Sequence, residues 1–285
     1  MTKSSDNVFH PQTTWLDPAQ KQLTDYPQLM QELAQQQIVM LGEHHDRYDI
    51  HRWQLQICSG LLAHRQDIAV GFEMFPRRLQ PVLDAWIAGE MDEPLFLEKA
   101  EWGTVWGFDS ALYMPIFRFC REAGVPMLAL NCHRPLVTRV GKEGWDAVPV
   151  EERDGLTPAK DATMAYREYL FAITNGGPPW MKDKSAASPE FDRFVRAQQV
   201  WDRAFACNIA NALHDNKAGL IVGIIGQGHL EYGHGTPFQL RDLGIEKQAV
   251  LLTCDKPLDE AKLVQNYAKA VYRLPHNFVV STPQN

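Results

Sequence analysis

Two apolar runs far apart in the chain each break into glycine and then into acidic or imidazole side chains. That pairing constrains the fold more than any other feature. The first, Ile38-Val39-Met40-Leu41, runs into Gly42-Glu43-His44-His45-Asp46. The second, Leu220-Ile221-Val222-Gly223-Ile224-Ile225, runs into Gly226-Gln227-Gly228-His229. A continuous apolar run closed by glycine predicts a fully buried strand. In an open parallel sheet, ligands bind at the carboxyl edge of the strands. The two motifs are therefore expected to meet at one edge and to carry Glu and His side chains there.

The rest of the chain fits the same plan. Apolar spacing predicts helices over 26–36 and 50–65, the second with Ile50, Trp53, Ile57 and Leu61 on one face. Further helices are expected over 79–87 and over 110–123, the latter stopped by Gly124. Ile68-Ala69-Val70-Gly71-Phe72 reads as a strand ending at Glu73, and Met127-Leu128-Ala129-Leu130 as one ending at Asn131-Cys132-His133. Ala249-Val250-Leu251-Leu252 is the fifth strand. Strands alternating with helices imply right-handed crossovers. The expected fold is α/β, a mostly parallel sheet flanked by helices. A helical insertion at about 148–213, built from patterns at 159–173 and 189–213, is placed to roof the carboxyl edge. Residues 1–25 are expected to form an arm, and 26–285 a single α/β domain that includes the insertion.

Composition narrows the partners. A net charge of −7, with no stretch rich in Lys and Arg, argues against nucleic acid. No apolar run approaches the length of a membrane span. The segment Met1-Thr2-Lys3-Ser4-Ser5-Asp6-Asn7 has no apolar core and is not read as a signal peptide, which leaves a cytoplasmic location or a form that has lost its export signal. Five scattered cysteines contain no C-x-x-C pair, so neither a zinc ribbon nor a disulfide framework is expected.

Glu43, His44, Glu73 and His229 form the candidate site set. Carboxylate with imidazole suits a divalent transition metal. It equally suits general acid–base catalysis. Singly, each residue is more simply a helix cap or a loop residue, but four of them at three strand ends argue for a shared site. His45 is expected to be a loop residue, and Asp46 the N-cap of the next helix. His133 either binds an anion or opens a helix. Tyr166 and Tyr169, three apart on one helix, share a face. Tyrosine phenolate is one ligand of ferric haem iron; the alternative is packing in a helix face. His234, in the loop Tyr232-Gly233-His234-Gly235, is either placed to reach a ligand or, more simply, a surface histidine. Trp102, Trp106, Phe108 and Tyr113 read as core or pocket wall.

The motif order resembles the ChaN family. The residues that carry the resemblance are Leu41-Gly42-Glu43-His44-His45-Asp46, then Gly71-Phe72-Glu73-Met74-Phe75 with Gln80 and Trp86, then Trp102, Trp106-Gly107-Phe108, Tyr113 and Pro115. Gly124-Val125-Pro126 with Ala129-Leu130-Asn131, and Gly226-Gln227-Gly228-His229 with Gly235-Thr236-Pro237, continue it, so that it spans about 39–243. The family comprises iron-regulated bacterial haem-binding proteins, usually lipoproteins, related in fold to the Tiki and erythromycin-esterase group. The resemblance implies a role in iron or haem acquisition, with haem at a homodimer interface and a tyrosine on the iron. Tyr166 and Tyr169, with His234, are the candidate haem-binding residues. It also implies a periplasmic or membrane-anchored lipoprotein, although this chain shows no lipidation signal, so membrane association would require a lipid anchor in a precursor. The wider superfamily uses Glu–His strand-end motifs for hydrolysis. The alternative reading is therefore a metal-dependent hydrolase, esterase- or peptidase-like, working through Glu43, His44, Glu73 and His229.

Overall fold

The computed structural model describes residues 9–181 and 184–275. Eight strands, β1 (Trp15–Asp17), β2 (Gln22–Thr24), β3 (Ile38–Glu43), β4 (Ile68–Pro76), β5 (Met127–Asn131), β6 (Leu220–Gly226), β7 (Gln248–Cys254) and β8 (Ala270–Arg273), form one sheet. Their order is β2-β1-β8-β7-β3-β6-β4-β5. All neighbours from β8 to β5 pair in parallel; β1 pairs antiparallel with both β8 and β2.

The apolar runs are continuous because both faces of the sheet are covered. Along β3, Val39 and Leu41 enter one core while Ile38 and Met40 enter the other. In β6, Leu220, Val222 and Ile224 face the first core, and Ile221 and Ile225 the second. Successive strand side chains point to opposite faces, so a strand buried on both sides needs an apolar residue at every position.

The first face is covered by α1 (Tyr26–Leu33), α2 (Tyr48–His64), α3 (Gln80–Ile87), α4 (Glu93–Lys99), the short α5 (Trp102–Val105) and α6 (Met114–Ala123). Trp53, Trp86, Phe96 and Phe117 are buried there. α6 ends at Gly124, whose φ of 65° lies in the left-handed region that glycine adopts without strain. On the second face lie α9 (Asp192–His214) and α10 (Thr236–Asp242), which bring Phe205, Ile209 and Leu240 onto the sheet. α7 (Arg134–Glu143) packs on α9 through Leu136, Val137 and Val140, and α8 (Met164–Ile173) packs on its first turns through Tyr166 and Leu170. No strand interrupts the segment between β5 and β6 among the described residues. Residues 182–183 of the expected insertion lie outside them.

Two expectations are corrected. The expected arm over 1–25 contributes two strands: Trp15 and Leu16 pair with β8 and are buried, so residues 15–24 extend the sheet. Residues 1–8 of that segment lie outside the described residues. The N-cap of α2 is Arg47 rather than Asp46, and Arg47 instead bridges Asp49 and Asp255.

Candidate functional site

β3, β6 and β4 are neighbours, and their carboxyl ends bring the strand-end motifs together. Glu43 lies in register with Gly226. The Gly226 amide donates to the Glu73 carboxylate. A Cβ on residue 226 would sit 3.2 Å from Glu73 Oε2 and 3.4 Å from His45 Cε1. Glycine at the end of β6 therefore lets an acid and an imidazole close over the strand terminus.

The imidazole that does so is His45, because His44 is exposed on the loop. His45 Nδ1 lies 2.5 Å from Glu43 Oε1. The same carboxylate oxygen accepts the Tyr113 hydroxyl at 2.9 Å, and Trp106 Nε1 donates to Tyr113 Oη at 2.9 Å. Glu43 is buried, and its Oε2 has no hydrogen-bond partner among the described residues. The His45 ring packs edge-on to Trp106 and against Phe108. Of the four aromatics expected as core or wall, Trp102 and Tyr113 are buried in the core, while Trp106 and Phe108 line the cleft described below.

His229 follows β6 in a short 3-10 turn, and its Nδ1 lies 2.9 Å from Asp202 Oδ1. Asp202, from the middle of α9, is wholly buried. Its Oδ2 accepts the Tyr166 hydroxyl at 2.6 Å, and Oδ1 accepts Thr236 Oγ1 at 3.0 Å. The sequence reading missed Asp202. The available signal was a carboxylate in line with Phe205, Ala206 and Ile209, three, four and seven positions on, within an apolar helix stripe.

His45, Glu73 and His229 line a cleft of about 500 Å³ walled by Trp106, Phe108 and Trp201. Burial pushes the Glu73 carboxyl up, the negative Glu43 adds to this, and the His229 and His45 charges oppose it; the balance is raised. Burial works to lower both imidazoles. The hydrogen bond to Glu43 and the charges of Glu73 and Glu43 outweigh it at His45, and the charge and hydrogen bond of Asp202 outweigh it at His229, so both are raised. The arrangement is two carboxylate-backed imidazoles facing a carboxyl group that tends to hold its proton, which is equipment for proton transfer.

The expected metal set is not assembled as one. His44 faces solvent, Nδ1 of His229 is held by Asp202, and Glu73 accepts a backbone amide. Among the described residues no group of three or more His, Cys, Asp or Glu side chains is arranged to hold a metal ion. His133 occupies the N-cap position of α7, its side chain exposed and making no capping bond.

A second cluster joins α8 to the turn after β6. Tyr166 and Tyr169 share a face, as their spacing predicts, with rings stacked at 6.4 Å. Both hydroxyls are engaged: Tyr166 donates to Asp202, and Tyr169 donates to buried Glu231 at 2.9 Å. Burial and the Asp202 charge hold the Tyr166 phenol well above its ordinary value, which disfavours the phenolate that a ferric iron takes. The polar atoms left over belong to Tyr232 and His234, whose side chains make no hydrogen bond among the described residues. Their rings stack at 5.7 Å, and His234 also lies 6.1 Å from the Tyr169 ring. Tyr232 has φ of 59°, a left-handed backbone that costs a non-glycine residue about 1 kcal/mol or more and that clusters at functional sites. Burial lowers the His234 imidazole, favouring the neutral form that metal ligation requires.

The sequence model of the family described as "Haem-binding uptake, Tiki superfamily, ChaN" matches residues 29–240. None of the curated proteins matches the chain. Among solved structures, ChaN of Campylobacter jejuni, described as showing cofacial haem binding, superposes with a TM-score of 0.67 at 17% identity, covering 90% of this chain and 95% of that one. The type III effector HopBA1 superposes with a TM-score of 0.51 at 10% identity, covering 96% of this chain and 100% of that one. At these identities the likeness is one of fold.

Proposed function

The chain belongs to the ChaN haem-binding uptake family of the Tiki superfamily, and from that premise we propose that it binds haem in the service of bacterial iron or haem acquisition. The observation that carries the reading is the family match over 29–240, which spans both side-chain clusters. Haem would supply an iron centre within a planar apolar macrocycle. The face made by α8 and the turn at 231–235 is where this chain has groups to receive it. Tyr169, Tyr232 and His234 offer aromatic surface, and Ile173 is an exposed apolar side chain on the same side of α8. Of the candidates Tyr166, Tyr169 and His234, His234 has a polar atom with no hydrogen bond among the described residues, and Tyr232 beside it has a hydroxyl with none among them. We place the iron at this pair. One face of a helix covers one side of a haem, so a second copy of the chain would close the other side, as a haem-linked homodimer. Hemin titration tests the reading: a Soret band reaching a stoichiometric endpoint is expected, together with dimerisation on sedimentation. The broad absorbance of free hemin alone would overturn it.

A second reading is favoured by the cleft. Two carboxylate–imidazole pairs around Glu73 suit hydrolysis of an ester or amide, with an imidazole as base and Glu73 as proton donor. Turnover of a chromogenic ester that is lost in His229→Ala and Glu73→Gln would support it. Persistence of that turnover in both variants would exclude the cleft as its source, and loss of turnover on chelation would assign it to a metal-dependent route.

A further inference from the structure

We propose that Asp202 is the positioning residue of the cleft: it fixes His229 as the Nδ1–H tautomer with Nε2 presented to the cleft, and Tyr166 ties that arrangement to α8. A wholly buried carboxylate is tolerated only where hydrogen bonds replace its water. Asp202 has three such bonds, from His229, Thr236 and Tyr166, each carried by a different element. An ionised carboxylate only accepts, so the ring nitrogen facing it must carry the proton. The other nitrogen, Nε2, is then an acceptor in the neutral ring, and it has no protein partner among the described residues.

The backbone is built for this contact. At Gly235 a Cβ would lie 2.5 Å from the His229 carbonyl and 2.6 Å from Asp202 Oδ1, so only glycine lets the turn close against the carboxylate. Asp202 does not line the cleft, and it acts through His229. Carboxylates behind imidazoles set tautomer and ring orientation in acid–base sites and in metal sites alike. The consequence for proton transfer rests on the hydrolytic reading above; the tautomer itself does not.

The test is nitrogen NMR of the ¹⁵N-histidine-labelled protein at alkaline pH, with the neutral His229 ring assigned by its loss in His229→Gln. The expected pattern is a protonated Nδ1 and a bare Nε2. In Asp202→Asn the amide can turn its NH2 toward the ring, and loss of the single Nδ1–H pattern is expected. A wild-type ring protonated on Nε2, or a folded Asp202→Asn protein with an unchanged pattern, would overturn the proposal. Should Asp202→Asn not fold, Tyr166→Phe removes one donor from the carboxylate and keeps its charge. The His229 Nδ1 proton should then move downfield, and an unmoved resonance would overturn the link to α8. Because no turnover is read, this outcome is independent of whether the cleft hydrolyses anything.

Discussion

Tyr113 and Glu43, 70 positions apart in sequence, meet in the core through a 2.9 Å hydrogen bond from phenol to carboxylate. The phenol also accepts from Trp106 Nε1, so one hydroxyl joins the end of β3 to the cleft wall. Tyr113→Phe leaves the indole without its acceptor and takes one donor from a carboxylate that already has an unpartnered oxygen. Leaving such buried groups unpaired costs about 1–3 kcal/mol. Chemical denaturation should show a loss of that order, and the Trp106 contribution to fluorescence should change with it. Unchanged stability would mean that the pair is not formed.

Gly226→Ala tests the closure over β6. Its φ of −50° suits any residue, so backbone strain is not the issue. The added methyl would press on the Glu73 carboxylate and the His45 ring at 3.2 and 3.4 Å. We expect a folded protein destabilised by about 1–3 kcal/mol, with the His45 and His229 ring resonances displaced. A variant with wild-type stability and unshifted rings would show the strand end to be looser than described.

What the sequence could tell followed from burial. The five strands β3 to β7, covered on both faces, needed apolar residues throughout and were legible as runs. β1, β2 and β8 were not, because Trp15-Leu16-Asp17 and Gln22-Leu23-Thr24 are too short for a period and Ala270–Arg273 mixes apolar and polar residues. At the site, Glu43, Glu73 and His229 stood out as polar residues ending apolar runs. The choice between His44 and His45 was decidable by parity: Val39, Leu41, Glu43 and His45 alternate onto one side, and that side holds Tyr113. Asp202 was hidden because its partners Tyr166, His229 and Thr236 are distant in sequence, and long-range pairing leaves no local pattern.

The haem assignment separates tyrosines that look alike in sequence. Tyr166→Phe should leave the hemin-bound spectrum as it is while lowering stability, since its hydroxyl serves a buried carboxylate. Tyr169→Phe should behave similarly through Glu231. Tyr232→Phe and His234→Ala should change the Soret position or weaken binding with little effect on folding of the apoprotein. The reverse pattern, a changed spectrum in Tyr166→Phe alone, would return the iron to Tyr166.

The cleft should also give stability a pH dependence of fixed sign. The folded protein keeps the Glu73 proton above the ordinary value of 4.5, so over that window it binds more protons than the unfolded chain and loses stability as pH rises. His45 and His229 are raised above 6.5, so the stability they contribute is fully present below 6.5 and is lost as pH rises through their folded values. His10 and His234 are lowered and act in the opposite sense through 6.5. Glu73→Gln keeps an acceptor for the Gly226 amide and removes one of these contributions. Measured as Tm against pH, the wild type should fall relative to Glu73→Gln as pH rises from 4.5, with the two curves closest at the acid end. Parallel curves across that range would mean that Glu73 ionises in the folded protein as it does in the unfolded chain, and Glu73 would lose its place as the proton donor of the cleft.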